Sequence, residues 1–182
     1  HVDLRNKVVI GDALHTQRQV SIQIGKAGGN YLWTVKGNQP QLLQDLQDWF
    51  DDRVVLLPGM GCPPKDFHSA TVINKGHGRL EVRTLTTSSQ LNDFLDWPFL
   101  QQVFKLERFI TISKTGKMRH ELVYGVTSLS AEQASPAQLL QMLRSYWQIE
   151  NSLHYPRDVT LHEDQTRFKK HSAAHNMAII NN

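Results

Sequence analysis

A mixed α/β fold is predicted by three features of this sequence. A short apolar run, Lys7-Val8-Val9-Ile10-Gly11, ends in an acid, Asp12. Strand-like and helix-like stretches then alternate as far as Phe50, and runs of strand period follow between Arg79 and Thr127. The first run reads as a short buried strand that delivers Asp12 at its carboxyl end, the edge of an α/β sheet where ligands collect. Taken alone, Asp12 serves equally well as a turn or cap residue.

The elements follow in order. Thr16-Gln17-Arg18-Gln19 has the form of a capping box, Val20 and Ile24 mark one helix face, and Gly28-Gly29 supply the stop. Tyr31-Leu32-Trp33-Thr34-Val35 is the next strand. Asn38 and Pro40 then open a helix with the apolar stripe Leu42, Leu43, Leu46, Trp49 and Phe50. Lys36-Gly37-Asn38-Gln39 sits at the carboxyl end of the second strand. A turn-and-cap role and an anion-contacting role are both open there, since a helix amino terminus beside a Lys suits an anion. From 51 to about 70 the pattern breaks, with Pro58-Gly59-Met60-Gly61-Cys62-Pro63-Pro64 reading as a loop. Arg79 to Leu85 alternates cleanly, as does much of Val103 to Ile112, and Glu121 to Thr127 adds another β-rich run. Alternation puts Arg79, Glu81 and Arg83 on the solvent side of their strand, ordinarily a solvated row.

Pro136 opens a further helix, along which Leu139, Leu140, Leu143, Tyr146, Trp147, Leu153 and His154 recur on one face. Glu150 falls inside that stripe. A carboxylate facing a packed surface carries a desolvation cost unless a cation or metal compensates it, so its position calls for a partner; the plainer alternative is a partly exposed Glu paired with an Arg.

Composition is that of a soluble globular domain, with 40% hydrophobic and 20% charged residues. A net charge of +3 and a pI near 9.1 suit a polyanion only weakly. The lone cysteine, Cys62, rules out an internal disulfide, and there is neither a signal-peptide core nor a long apolar span. A cytoplasmic protein with no membrane partner is expected. Nine histidines include His162, His171 and His175, but with a single cysteine and no His-Glu-x-x-His pattern a zinc site is not expected. Trp33, Trp49, Trp97 and Trp147 read most simply as core residues.

Several motifs occur together in one order: Val9-Ile10-Gly11-Asp12-Ala13, Gly28-Gly29-Asn30-Tyr31, Lys36-Gly37-Asn38-Gln39-Pro40, His77-Gly78-Arg79-Leu80-Glu81-Val82-Arg83, Asp96-Trp97-Pro98, Trp147-Gln148-Ile149-Glu150-Asn151-Ser152-Leu153-His154, Asp158-Val159-Thr160 and Glu163-Asp164. In this the chain resembles the catalytic part of a DDE transposase of the H-repeat-associated insertion-sequence type. The resemblance implies an RNase H-like mixed sheet with flanking helices and a β-rich insertion between the second and third catalytic acids. It apportions 1–50 to the core, 51–130 to the insertion and connecting strands, and 131–182 to the carboxyl-terminal part of the core. Asp12 matches the second acid and Glu150 the third. The first would lie upstream of His1, and Asp3 belongs to the segment before the second acid, so the chain is expected to be a fragment or a truncated product.

The resemblance further implies two Mg²⁺ or Mn²⁺ ions, hard cations that prefer carboxylate oxygen and water. Asp158 and Asp164 match family acids beyond Glu150 that could assist the metal site; their plainer roles are a cap and a solvated loop acid. Arg157 occupies the place of a basic residue seven positions after the Glu, although Pro156 beside it breaks helical direction. Lys36, Asn38, Arg79, Arg83, Arg157, Lys169 and Lys170 are the DNA-binding candidates. Implied partners are transposon ends and target DNA, with a homo-oligomer in the active complex, and the implied activity is metal-dependent cleavage and strand transfer. Two rival readings are an inactive remnant that binds DNA and a related metal-dependent nuclease.

Overall fold

The computed structural model describes residues 2–51, 65–76 and 78–149. Two compact units divide the chain, 1–141 and 142–182. Glu150, Arg157, Asp158, Asp164, Lys169 and Lys170 lie outside the described residues.

The elements, in chain order, are β1 (Val8–Gly11), a 3-10 turn (Ala13–His15), α1 (Arg18–Lys26), β2 (Asn30–Val35), α2 (Pro40–Phe50), β3 (His68–Gly76), β4 (Arg79–Ser88), β5 (Gln102–Ile112), β6 (Met118–Thr127) and α3 (Pro136–Ile149). The strands form one mixed sheet in the order β1-β2-β6-β5-β4-β3. β1 and β2 are parallel, joined through α1, and every other neighbouring pair is antiparallel. The predicted α/β alternation is therefore present, and the β-rich stretch continues the same sheet through β6.

Local chemistry explains the predicted boundaries. Gly28 ends α1 at φ +74, a left-handed conformation that costs glycine no steric clash, and the Gly29 amide closes back on the Ile24 carbonyl at 3.0 Å. Pro40 occupies the first turn of α2, where its missing N–H is not needed. The capping box at Thr16 does not form: α1 starts one residue past Gln17, which gives no side-chain cap. Thr16 is instead fully buried, its hydroxyl donating to the Thr34 carbonyl at 2.7 Å, because the 3-10 turn carries it under the sheet edge. β3 begins at the end of the predicted break and runs on through a stretch, 71–76, for which the sequence pattern assigns no element. Its faces are mostly exposed, so Ser69, Thr71 and Asn74 interleave with Val72 and Ile73 without an apolar period.

One sheet face carries the main hydrophobic cluster. Tyr31, Trp33 and Val35 of β2, Val103 of β5 and Val126 of β6 pack with Ile24 of α1, Leu42, Leu46 and Phe50 of α2, and Trp97 and Leu100. Burying each such side chain contributes roughly 1.5–3 kcal/mol. Two polar side chains are matched within this packing: the Trp33 indole donates to Ser21 Oγ at 3.0 Å, and the Tyr31 hydroxyl to the Pro98 carbonyl at 2.6 Å. On the opposite face, Gly125 pairs with Phe104 across β5 and β6. A Cβ at Gly125 would collide with the Phe104 ring and the Trp33 carbonyl, so glycine here makes room for a buried aromatic ring.

Candidate functional site

Asp12 follows β1 directly, at the same end of the parallel pair from which Lys36 leaves β2. Its backbone is extended and its side chain caps the 3-10 turn, Oδ1 accepting from the Leu14 amide at 3.1 Å. The same oxygen lies 3.0 Å from His15 Nδ1. That hydrogen bond, more than the opposing burial, holds the Asp12 carboxyl below its ordinary range. Oδ2 accepts no hydrogen bond among the described residues. With its side chain half exposed, Asp12 thus keeps one carboxylate oxygen for an external partner.

The turn is clamped from beneath. Asn38 Nδ2 donates to the Ala13 carbonyl at 2.5 Å and Gln39 Nε2 to the Thr16 carbonyl at 3.0 Å, so the entry to α2 reads the backbone of the Asp12 turn. Asn38 consequently does not cap α2; that position is Gln39, which offers no side-chain cap. Gly11 is required by the same geometry, since a Cβ there would strike the Trp33 ring and approach His15 Cβ to 3.0 Å. Lys36, exposed, stands beside this clamp at the end of β2.

Arg79 and Arg83 part company on β4. Arg79 is exposed, as alternation predicts. Arg83 is not on an open face: only 13% of its side chain is exposed, Nη2 pairs with Glu81 Oε2 at 2.7 Å and Nη1 donates to Asn74 Oδ1 at 3.2 Å. Cross-strand neighbours account for the difference. Arg108 of β5 contacts Glu81 through Nε and Glu121 Oε2 through Nη1 at 3.0 Å, and Arg119 Nε reaches Glu121 Oε1 at 2.9 Å. Three arginines and two glutamates thus form a continuous ionic ladder over β4, β5 and β6.

A half-exposed carboxylate on a hydrogen-bonded turn, with one oxygen that accepts no hydrogen bond among the described residues, fits a hard divalent cation. Among the described residues no group of three or more His, Cys, Asp or Glu gathers to hold a metal, and the other acids proposed as ligands lie outside them. The structure brings together Asp12, Lys36 and Asn38 at one sheet edge and leaves Arg79 and Arg83 on β4. His15 and Thr16 are additions that motif reading missed; the signal for His15 was its three-residue spacing from an acid at a strand end.

Over residues 1–182 the sequence matches the family described as Transposase DDE domain. The chain belongs to this family. The DDE domain is 30% identical over 181 residues to "Putative protein YbfL" of Escherichia coli (strain K12) and to "H repeat-associated putative transposase YhhI" of the same strain, in each case over 95% of this chain and 45% of the relative. It is 27% identical over 176 residues to "Putative transposase YncI" of Escherichia coli O157:H7, covering 95% of this chain and 43% of that protein. The H-repeat-associated resemblance is thereby established, and the DDE domain spans less than half the length of these curated relatives. No solved structure gives a significant match. No helix among the described residues is long and apolar enough to cross a membrane.

Proposed function

We propose that this chain supplies the second and third acids of a transposase that cuts insertion-sequence DNA and joins its ends to a target. The observation that carries the reading is Asp12: a half-exposed strand-end carboxylate on a turn clamped by Asn38 and Gln39, in a chain that belongs to the Transposase DDE domain family. Asp12 and Glu150 would hold Mg²⁺ or Mn²⁺, with Asp158 and Asp164 as supplementary candidates. When bound, two such ions activate the attacking oxygen and stabilise the leaving one. The residues of this chain do the positioning. His15 and the Leu14 amide fix Oδ1, which leaves Oδ2 as the ligand oxygen, and Lys36 beside the turn neutralises an approaching phosphate.

In this reading the sheet is an RNase H-like core in which β3 to β6 form the β-rich insertion and its connecting strands. DNA ends and target are the partners, and a homo-oligomer is the active assembly in the cytoplasm. Because the resemblance puts the first acid upstream of His1, the 182 residues alone should show little or no strand transfer. The test therefore places Asp12→Asn and Glu150→Gln in a longer protein that also carries the first acid and measures cleavage of end-bearing duplexes in Mg²⁺. Both variants should lose cleavage by at least about a hundredfold while retaining duplex binding in metal-free buffer. Undiminished cleavage by Asp12→Asn would overturn the assignment.

A further inference from the structure

The far ends of β3 to β6 concentrate charge that the catalytic reading does not use. β3 passes to β4 through a turn ending in Gly78 at φ +70, and β5 passes to β6 through a turn containing Gly116 at φ +65. The two turns lie side by side, because the Ser113 amide donates to the Gly78 carbonyl at 2.8 Å and Arg79 pairs with Ile112. This double tip carries Lys75, Arg79, Lys114, Lys117 and Arg119, all exposed. They are five of the chain's 20 Lys and Arg, and the sequence stretches 74–80 and 111–119 contain no Asp or Glu.

The nearest acids along the strands are already engaged. Glu81 and Glu121 are held in the ladder by Arg83, Arg108 and Arg119, and Glu107 is held by His120 at 2.9 Å. The ladder contains one more arginine than glutamate, and 76% of the Arg119 side chain remains exposed at its outer end. The tip therefore presents Lys75, Arg79, Lys114 and Lys117 with no carboxylate paired to them among the described residues, beside Arg119, whose charge Glu121 partly offsets. Four strands about 4.8 Å apart make it roughly 14 Å wide. Over that length duplex DNA presents about eight phosphate charges, one per ~1.7 Å of axis.

We propose that this double-hairpin tip, rather than the face of β4, is a phosphate-contacting site for duplex DNA. The proposal rests on the transposase reading for its choice of polyanion. Tip cations contact phosphate and carry no base readout, so they position the duplex relative to the Asp12 edge without selecting its sequence. Arg79 belongs to this site; Arg83, inside the ladder, does not.

The experiment measures affinity against salt for unrelated duplexes in metal-free buffer, with Arg79→Gln/Lys114→Gln/Lys117→Gln set beside the parent protein. These side chains are exposed, and an unchanged melting temperature would verify that the variant folds. Binding should weaken alike on every duplex, and the slope of log K against log salt should flatten by up to about 2.7, at roughly 0.9 per phosphate contact. Arg79→Lys/Lys114→Arg/Lys117→Arg should keep the parent slope. An unchanged slope in the Gln variant would overturn the proposal while leaving the transposase reading intact. A parent protein that binds anionic vesicles or duplex RNA but not duplex DNA would overturn both.

Discussion

His15 Nδ1 lies 3.0 Å from Asp12 Oδ1, and this bond is the largest influence on the acidity of the candidate catalytic carboxyl. Removing it in His15→Ala should raise the Asp12 pKa back toward its ordinary value. A carboxyl whose folded pKa is depressed adds stability above its unfolded pKa, near 3.9, and loses it as pH falls through the lower folded value. The parent chain should therefore lose this contribution below about pH 4, and His15→Ala should show less of that loss. A carboxyl NMR titration of Asp12 in metal-free buffer checks it; an unmoved pKa would remove His15 from the account.

Asn38 separates two roles. If its amide holds the Ala13 carbonyl, Asn38→Ala should destabilise the chain by about 1 kcal/mol and leave the salt dependence of DNA binding unchanged. Lys36→Gln should do the reverse, lowering the slope by about 0.9 with little change in stability. Chemical denaturation and salt titration of both variants decide between clamp and phosphate contact.

Arg108 is the central member of the ladder, between Glu81 and Glu121. Arg108→Met removes the cation shared by two carboxylates on β4 and β6, the strands either side of β5, and should cost about 2 kcal/mol, below the range for fully buried pairs because these groups retain partial solvent access. Arg83→Gln should also destabilise while leaving DNA affinity unaltered. Weakened DNA binding by folded Arg83→Gln would return that residue to the DNA surface.

Gly125→Ala tests the packing of the opposite face. The added methyl meets both the Phe104 ring and the Trp33 carbonyl, so a loss of about 3 kcal/mol is expected by urea denaturation. Phe104→Leu in the Gly125→Ala background should recover part of it, since the ring is one of the two obstacles. Full recovery would mean that the backbone contact adjusts freely.

Sequence reasoning was effective where a signal is local. β1, β2, α1, α2 and the strands after Arg79 each carry an apolar period or a terminating glycine or proline within a few residues, and all are present. β3 was missed because an edge strand that is exposed on one face and only half-buried on the other, at Ala70, Val72 and Asn74, imposes no apolar period on its side chains. At the site, Asp12 was legible as an acid ending an apolar strand. Asn38's partner was not, because the Ala13 carbonyl is 25 residues away and only the tertiary return of α2 brings the two together. The apparent freedom of Arg83 failed for a related reason: alternation assigns a face, while the neighbours on that face belong to β5 and β6.

The place of β6 between β2 and β5 has a kinetic consequence. The Thr127 hydroxyl donates to the Tyr31 carbonyl across 96 residues of chain, so β2 acquires its second neighbour only after nearly all of the described chain has been made. During synthesis at about 5–20 residues per second, the β1–β2 pair waits several seconds with one edge of β2 open. Closing so long a loop is entropically slow, while the β3–β4 and β5–β6 hairpins close locally and early. Assembly should therefore proceed as two preformed hairpins docking onto a waiting parallel pair, and the nascent chain is most prone to mispairing, and most in need of a chaperone, just before β6 leaves the ribosome.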